Sequence, residues 1–203
     1  MMKSSIPILI LAAGSSSRMG QSKQMLLIKD EPLLRRTVRT ALSTNGGNII
    51  VVLGSVYEEH LPMISDMPVD IVHNEQWDKG IGSSLKAGLR YIVNSELAEA
   101  LMILVCDQAF VTGEYLDKLI NAYRKHTQSS TTIVASKYGN TVGVPAIFDK
   151  VHFDELLALE DDKGAKKVIM SHSEGLYTVD FPEGILDIDT PEDYEELKKK
   201  LKH

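Results

Sequence analysis

The stretch of sequence best suited to chemistry is a loop near the N-terminus that is rich in glycine and serine. Residues 14–23 read GSSSRMGQSK and directly follow a predicted strand, Ile6–Ala12. Small residues let a backbone approach a ligand closely, and several backbone N–H groups can then point the same way. Arg18 and Lys23 add positive charge that can pair with phosphate oxygens. The pattern therefore predicts a phosphate-binding loop.

Two better-known phosphate-binding patterns do not fit this loop. Its glycines do not have the spacing of the dinucleotide fingerprint, and it lacks the Gly-Lys-Ser/Thr end of the Walker A motif. An ordinary solvated turn is the alternative, because glycine and serine are common in turns. Two cations beside a small-residue loop, directly after a buried strand, favour phosphate binding.

Further polar residues follow two other predicted strands. The segment 74–84 follows Val69–His73, and Asp107 follows Ala100–Val105. In an open α/β sheet, ligands bind beyond the carboxyl ends of the strands, so these segments should converge on the loop. A carboxylate after a buried strand is costly unless it meets a cation or hydrogen bonds. Asp107 is therefore a candidate ligand for Mg²⁺, which prefers oxygen, with a turn or helix cap as the alternative.

The segment 74–84 contains a second candidate binding element. Ser83 and Ser84 begin a predicted helix, and the unpaired N–H groups of a helix start suit a base edge or a phosphate. Simple N-capping by serine is the alternative. Trp77 suits either the core or a pocket wall. Cys106 is expected to be a small buried residue and not a nucleophile, because no histidine lies near it in sequence.

The elements that must position these residues alternate in type over the first 135 residues. Strands are predicted at 6–12, 48–53, 69–73, 100–105, 131–136, 145–148, 175–179 and 184–187, and helices at 33–42, 57–65, 82–93, 112–126, 149–157, 162–172 and 190–201. This order predicts an α/β fold in three layers, with helices on both faces of a mostly parallel sheet. We expect one domain, residues 1–203, whose irregular second half covers the carboxyl edge of the sheet.

Composition excludes several classes of protein. Hydrophobic residues make up 43% of the 203 residues and charged residues 25%, as in ordinary globular domains. The net charge of −6 argues against a nucleic-acid partner. The single cysteine predicts a reducing, cytoplasmic setting, and the first apolar run is too short to cross a membrane. The six histidines show no zinc-ligand spacing, so the sequence predicts no zinc site.

Several segments together resemble a known family. The segment 11–23, LAAGSSSRMGQSK, is similar to the signature of nucleotidyltransferases that activate sugars, polyol phosphates and molybdopterin. The segments 74–85, 105–108, 162–165 and 186–193 resemble further elements of the molybdenum cofactor cytidylyltransferases, in the same order. The chain is thus identified as a member of the MobA-like NTP transferases, which have the nucleotide-diphospho-sugar transferase fold.

The resemblance implies a reaction and a site. A phosphate of molybdopterin would attack the α-phosphorus of CTP and release pyrophosphate, and a molybdenum enzyme would be a further partner. Arg18 and Lys23 would contact the triphosphate, and Asp107 and Asp189 would hold Mg²⁺. The nucleotide would contact Leu11, Ala12, Ala13, Gly14 and Ser15, with Ser83 at the base. A helix start is the alternative role for Asp189, and Asp187 is a second candidate ligand.

Three departures from the family pattern leave the second substrate open. Cys106 replaces the glycine before the aspartate, Ala109 replaces a proline, and residues 141–145 lack the arginine that relatives have there. A sugar or polyol phosphate therefore stays an alternative acceptor. A binding protein that hands a cofactor to a molybdenum enzyme, without turnover, is the alternative outside catalysis.

Overall fold

A seven-stranded sheet is the centre of the computed structural model, which describes residues 6–16, 19–95, 98–126, 131–185, 188 and 190–200. The strands are β1 (Ile8–Leu11), β2 (Leu27–Ile28), β3 (Glu31–Pro32), β4 (Ile49–Leu53), β5 (Asp70–His73), β6 (Ala100–Val105), β7 (Ile133–Tyr138), β8 (Thr141–Asp149) and β9 (Leu176–Asp180). The large sheet has the order β5-β4-β1-β6-β8-β7-β9, and β2 and β3 form a separate hairpin.

Helices cover both faces of the sheet. They are α1 (Leu33–Leu42), α2 (Tyr57–His60), α3 (Ile81–Asn94), α4 (Gly113–His126), α5 (Phe153–Leu157), α6 (Lys166–Ser171) and α7 (Pro191–Lys200). Short 3₁₀ helices span Lys23–Met25, Leu61–Met63, Trp77–Lys79, Lys150–His152 and Pro182–Ile185. No helix among the described residues is long and apolar enough to cross a bilayer.

The central strand β1 shows why the fold has three layers. All four of its residues are buried, and alternate side chains point to opposite faces. Ile8 and Ile10 belong to the core under α1 and α4, and Leu9 and Leu11 belong to the core under α3, α5 and α6. A strand buried on both faces needs apolar side chains throughout, so the continuous apolar run in the sequence is explained. The predicted three-layer fold is confirmed.

The strand directions fix where the loops meet. Strands β5, β4, β1 and β6 are parallel, β8 is antiparallel to β6, and β7 and β9 run in the direction of β1. Ala100 at the start of β6 pairs with Asp149 at the end of β8. The end of β8 therefore lies at the amino edge of the parallel strands, and the segments after β1, β5 and β6 meet at the carboxyl edge.

Several predicted elements are corrected by the structure. The second half does not form an insertion over the carboxyl edge, because β8, β7 and β9 extend the same sheet. The predicted strand Gly184–Asp187 is wrong at its first two residues, because Pro182–Ile185 is a 3₁₀ helix in which Gly184 N–H donates to the Phe181 carbonyl. Residues 186 and 187 lie outside the described residues. The helix predicted from Asp162 begins only at Lys166. The β2–β3 hairpin had no prediction.

Candidate active site

A pocket opens at the carboxyl edge of β1 and β6. The residues that line it come from three regions that are far apart in sequence: Leu11–Ser16 together with the nearby Lys23 and Gln24, part of Trp77–Ser84, and Val105–Asp107. The convergence expected from the strand directions is therefore observed. Arg18 and Asp189, two of the predicted site residues, lie outside the described residues, and so does Asp187.

A pair of opposite charges lies in this pocket. Lys23 Nζ is 3.4 Å from Asp107 Oδ2, although the two residues are 84 positions apart. The Lys23 side chain is 14% exposed and that of Asp107 is 32% exposed, so both reach solvent through the pocket. The carboxylate oxygens of Asp107 are ligands of the type that magnesium-like cations prefer, and they suit such an ion at this position.

The loop after β1 is open beside Gly14. A Cβ added to this residue would meet no atom within 4 Å. Behind the loop the packing is tight, because a Cβ on Gly54 would lie 2.5 Å from Trp77 Cβ and 2.8 Å from Ala13 Cβ. Trp77 is half-buried and belongs to both the core and the pocket wall. The backbone of the loop is therefore supported from behind and accessible from the front.

Gln24 fixes the shape of this loop, and sequence reasoning missed it. Its side chain is buried, and Nε2 donates to the carbonyls of Ala12 at 2.9 Å and Gly14 at 3.0 Å. Its Oε1 accepts from the hydroxyls of Ser22 at 2.8 Å and Ser16 at 3.3 Å. All four hydrogen-bonding positions of the amide are thus used. Its position beside Lys23 was the only signal for it in the sequence.

His60 extends this network into α2. The Ser22 hydroxyl has one hydrogen, which it gives to Gln24, so it accepts from His60 Nε2 at 2.6 Å. His60 Nδ1 is buried and has no hydrogen-bond partner among the described residues. Burial lowers the pKa of His60, and the nearby Glu59 only partly opposes this shift. The ring is therefore neutral at physiological pH, with its proton on Nε2.

The start of α3 differs from the expectation. The N–H groups of Gly82 and Ser83 both donate to the Asp161 carbonyl, at 2.8 and 3.3 Å. The prediction that these groups would be available to a ligand is wrong, because the chain itself satisfies them. The Ser83 hydroxyl lies 2.7 Å from the Gln76 carbonyl oxygen and 2.9 Å from that of Gly80, and its one hydrogen is shared between these two acceptors. Ser84, and not Ser83, lines the pocket.

Glycine is required at the start of α3 because the segment 160–163 packs directly on it. A Cβ on Gly82 would lie 2.3 Å from the Glu160 carbonyl oxygen, and one on Gly80 would lie 2.6 Å from that of Asp161. Lys86 holds the same segment through an ion pair with Asp161 and a hydrogen bond to the Leu159 carbonyl. Two motifs about 80 positions apart in the sequence thus form one wall.

Cys106 is an inert part of the pocket floor. It is 5% exposed, and the Thr37 hydroxyl lies 3.9 Å from its sulfur. Burial raises the pKa of its thiol to about 12, although the contact with Thr37 acts in the opposite direction. The thiolate is the nucleophilic form of cysteine, so a thiol with this pKa is not a nucleophile at neutral pH. The predicted burial of Cys106 is confirmed.

The sequence of the chain matches a known family. Residues 8–175 match the family model of the MobA-like NTP transferase domain. This chain belongs to that family. Membership indicates a nucleotidyltransferase, and the family resemblance found in the sequence motifs is confirmed.

Individual relatives cover nearly the whole chain. The purine catabolism protein PucB of Bacillus subtilis is 27% identical over 205 residues, 94% of this chain and 95% of its own. The molybdenum cofactor cytidylyltransferase of Escherichia coli is 25% identical over 199 residues, 97% of each chain. Rv0371c of Mycobacterium tuberculosis, solved in complex with manganese, is 26% identical with a TM-score of 0.77, over 96% of this chain and 98% of its own.

Proposed function

We propose that this chain transfers CMP from CTP to molybdopterin in the cytoplasm and releases pyrophosphate. The observation that carries the proposal is the Lys23–Asp107 pair, which lies in one pocket with the open loop at Gly14. A cation, a carboxylate and an accessible backbone are the groups that a nucleoside triphosphate and its metal ion need. The E. coli relative supports the choice of CTP and molybdopterin.

The protein's own groups act by position and charge. Lys23 is only 14% exposed, so its charge is weakly screened by water and acts strongly on phosphate oxygens. The loop at Gly14 lets the nucleotide lie against the backbone, and Gln24 keeps that backbone in place from behind. Alignment of the acceptor phosphate with the α-phosphorus supplies most of the remaining acceleration. Arg18 is proposed as a second cation for the triphosphate.

A divalent metal ion completes the proposed site. Asp107 would hold it together with Asp189, and Mg²⁺ is proposed because its preferred ligands are carboxylate and phosphate oxygens. The manganese complex of the M. tuberculosis relative supports a divalent ion of this kind. When bound, such an ion supplies positive charge that offsets the negative charge of the phosphates.

The preference for CTP rests on Ala13. Ala13 is buried and lines the pocket, and its Cβ lies beside Gly54. In the proposed complex the base lies next to Ala13, where the extra methyl group would narrow the space for it. A difference of one methyl group discriminates by about 1–3 kcal/mol. We therefore expect CTP to be used better than GTP, by a modest factor.

The test is pyrophosphate release from each of the four ribonucleoside triphosphates. Each is offered with molybdopterin and, separately, with a panel of sugar and polyol phosphates. We expect the fastest release with CTP and molybdopterin. Equal or faster release with GTP would overturn the base assignment, and a faster sugar or polyol phosphate would replace the acceptor. If pyrophosphate is released with none of the acceptors, the binding-protein alternative is favoured.

Lys23→Ala tests the mechanism itself. Loss of a charge that contacts the transition state should lower kcat/KM by about 10²-fold. Lys150→Ala is the matched control, because Lys150 is an exposed lysine at the opposite edge of the sheet, where its ammonium pairs with Glu99. Unchanged kcat/KM in a folded Lys23→Ala protein would remove Lys23 from the mechanism.

A further inference from the structure

A second group of chemically active side chains lies far from the pocket. The amino-edge cluster consists of His152, Glu155 and His172, and one ligand atom from each lies within 4.8 Å of the other two. No other group of three or more histidine, cysteine or acidic ligands meets this criterion among the residues that the structure describes.

The fold places this cluster at the amino edge of the sheet. His152 ends the 3₁₀ helix that follows β8, Glu155 lies in α5, and His172 is the C-cap residue of α6. The end of β8 pairs with the start of β6, whereas Asp107 follows the end of β6. The cluster is therefore separate from the nucleotide pocket.

His152 has the hydrogen bonding of a metal ligand. It is 3% exposed, and its Nε2 lies 3.3 Å from the Thr131 carbonyl oxygen. A carbonyl oxygen only accepts, so Nε2 carries the hydrogen and Nδ1 keeps a lone pair. Histidines that ligate a metal usually donate their other N–H to a backbone carbonyl or a carboxylate in this way, which fixes the tautomer and the ring orientation.

Glu155 and His172 are already in contact. His172 Nε2 lies 2.6 Å from Glu155 Oε2. The rings of His172 and His152 pack edge to face, with their centroids 4.7 Å apart. Ser171 Oγ lies 3.0 Å from Glu155 Oε1 and 2.9 Å from the Val168 carbonyl oxygen, so its one hydrogen is shared between them and supports the carboxylate from outside the cluster. Supporting hydrogen bonds of this kind are typical of ligating carboxylates.

We propose that the amino-edge cluster binds a divalent transition-metal ion, with Zn²⁺ as the occupant, through His152, Glu155 and His172. Zinc bonds to histidine and carboxylate at about 2.0–2.2 Å, so two ligands of a tetrahedral site lie about 3.4 Å apart. The pair Glu155–His172 has to widen by less than 1 Å from its 2.6 Å contact. The side chains of Glu155 and His172 are 41% and 35% exposed, which gives an ion access and leaves the fourth position to water.

The metal site would join the two ends of one segment. Residues 153–171 lie between the histidines, and they include the backbone at 160–163 that packs on Gly82. A bound ion would therefore stabilise the support of the pocket wall and would take no part in nucleotidyl transfer.

The test is a titration of the untagged, metal-free full chain with Zn²⁺. Calorimetry and NMR of the histidine side chains monitor the binding. The carboxylates of the nucleotide pocket also attract Zn²⁺, so the imidazole signals decide which site is filled. We expect one equivalent to shift the ring signals of His152 and His172, and to raise the midpoint of thermal unfolding by mass action. Asp107→Asn should leave the shift of the His152 and His172 ring signals unchanged.

Two variants at the ligands that reach solvent, Glu155 and the half-buried His172, test the assignment without disturbing the core. Glu155→Gln and His172→Asn should each weaken Zn²⁺ binding at this site by at least about tenfold, as loss of even an outer partner does. His73→Asn is the control, since His73 is an exposed histidine that stacks on Tyr57 at the other edge. Unshifted His152 and His172 signals, or unchanged Zn²⁺ affinity in both ligand variants, would overturn the proposal.

Discussion

Two segments of the pocket contain glycine next to serine, and they use these residues for opposite purposes. At Gly14 an added Cβ would meet nothing within 4 Å, whereas at Gly82 it would lie 2.3 Å from a carbonyl oxygen of the chain itself. The N–H groups of Gly82 and Ser83 are bonded to the Asp161 carbonyl. The first segment is open for a ligand, and the second is filled by the protein. Similar local sequences thus differ in function because of what packs against them.

Gly82→Ala should have the largest effect on folding. The new methyl group would overlap the carbonyl oxygens of Glu160 and Lys163, which are backbone atoms and cannot move easily. Overpacking of this kind costs about 1–3 kcal/mol, which urea unfolding measures. Gly164→Ala is the control, because its Cβ would make ordinary contacts at 3.5 and 3.9 Å with Ile81. Equal stability of the two variants would show that the backbone at 160–163 moves aside without a loss of stability.

Gly14→Ala should leave stability nearly unchanged and weaken nucleotide binding. Its methyl group would enter the open side of the pocket, so the free energy of unfolding should change by less than about 0.5 kcal/mol. Binding of Mg²⁺–CTP should weaken at least tenfold, or about 1.4 kcal/mol, because the methyl group takes space that the nucleotide needs. Calorimetric titration compares the variant with the wild type. Full affinity in Gly14→Ala would mean that the nucleotide does not lie against this loop.

Gln24→Glu tests what holds the open loop in place. The substitution replaces the donor Nε2, which binds the carbonyls of Ala12 and Gly14, by an oxygen that cannot donate. A lost buried partner costs about 1–3 kcal/mol, and CTP affinity should fall with it. Gln21→Glu, at an exposed position of the same loop, makes the same change of charge and serves as the control. If both variants bind CTP equally weakly, charge and not positioning explains the loss.

The smallest effect is expected from pH. Burial lowers the pKa of His60 below its ordinary value of 6.5, so the unfolded chain binds this proton more readily than the folded one. The stability that depends on neutral His60 is complete above pH 6.5 and decreases as the pH falls below it. Thermal unfolding between pH 7.5 and about 5 should show a smaller decrease in His60→Gln than in the wild type. A variant as sensitive to acid as the wild type would remove His60 as the cause.

The elements with strong local signals could be predicted from the sequence. Leu33–Leu42 and Ala100–Val105 match the prediction from end to end, because helical spacing and a continuous apolar run are unambiguous there. The β2–β3 hairpin was missed because Lys29 and Asp30 adopt positive φ, a conformation usually signalled by Asn-Gly. Gly184 gave a false strand, since its role depends on packing against the Phe181 ring.

The candidate site was predictable only where one motif sufficed. The loop after β1 and Asp107 were found from their places after buried strands, and Lys23 from its charge beside the loop. The roles of Gln24 and His60 depend on hydrogen bonds between elements, which no spacing reveals. His152 and His172 likewise come together only because β8 ends where α6 also ends.

The antiparallel pairing of β8 with β6 places the end of β8, and with it the amino-edge cluster, at the opposite edge of the sheet from Asp107. The six residues of β6, at about 3.3 Å each, separate the amino-edge cluster from Asp107 by about 20 Å. This is about two and a half times the Debye length at physiological ionic strength, which is about 8 Å. The charge of an ion held by His152, Glu155 and His172 would therefore act only weakly on the triphosphate. The backbone at 160–163 offers a mechanical connection instead, because it lies between His152 and His172 in the chain and packs on Gly82.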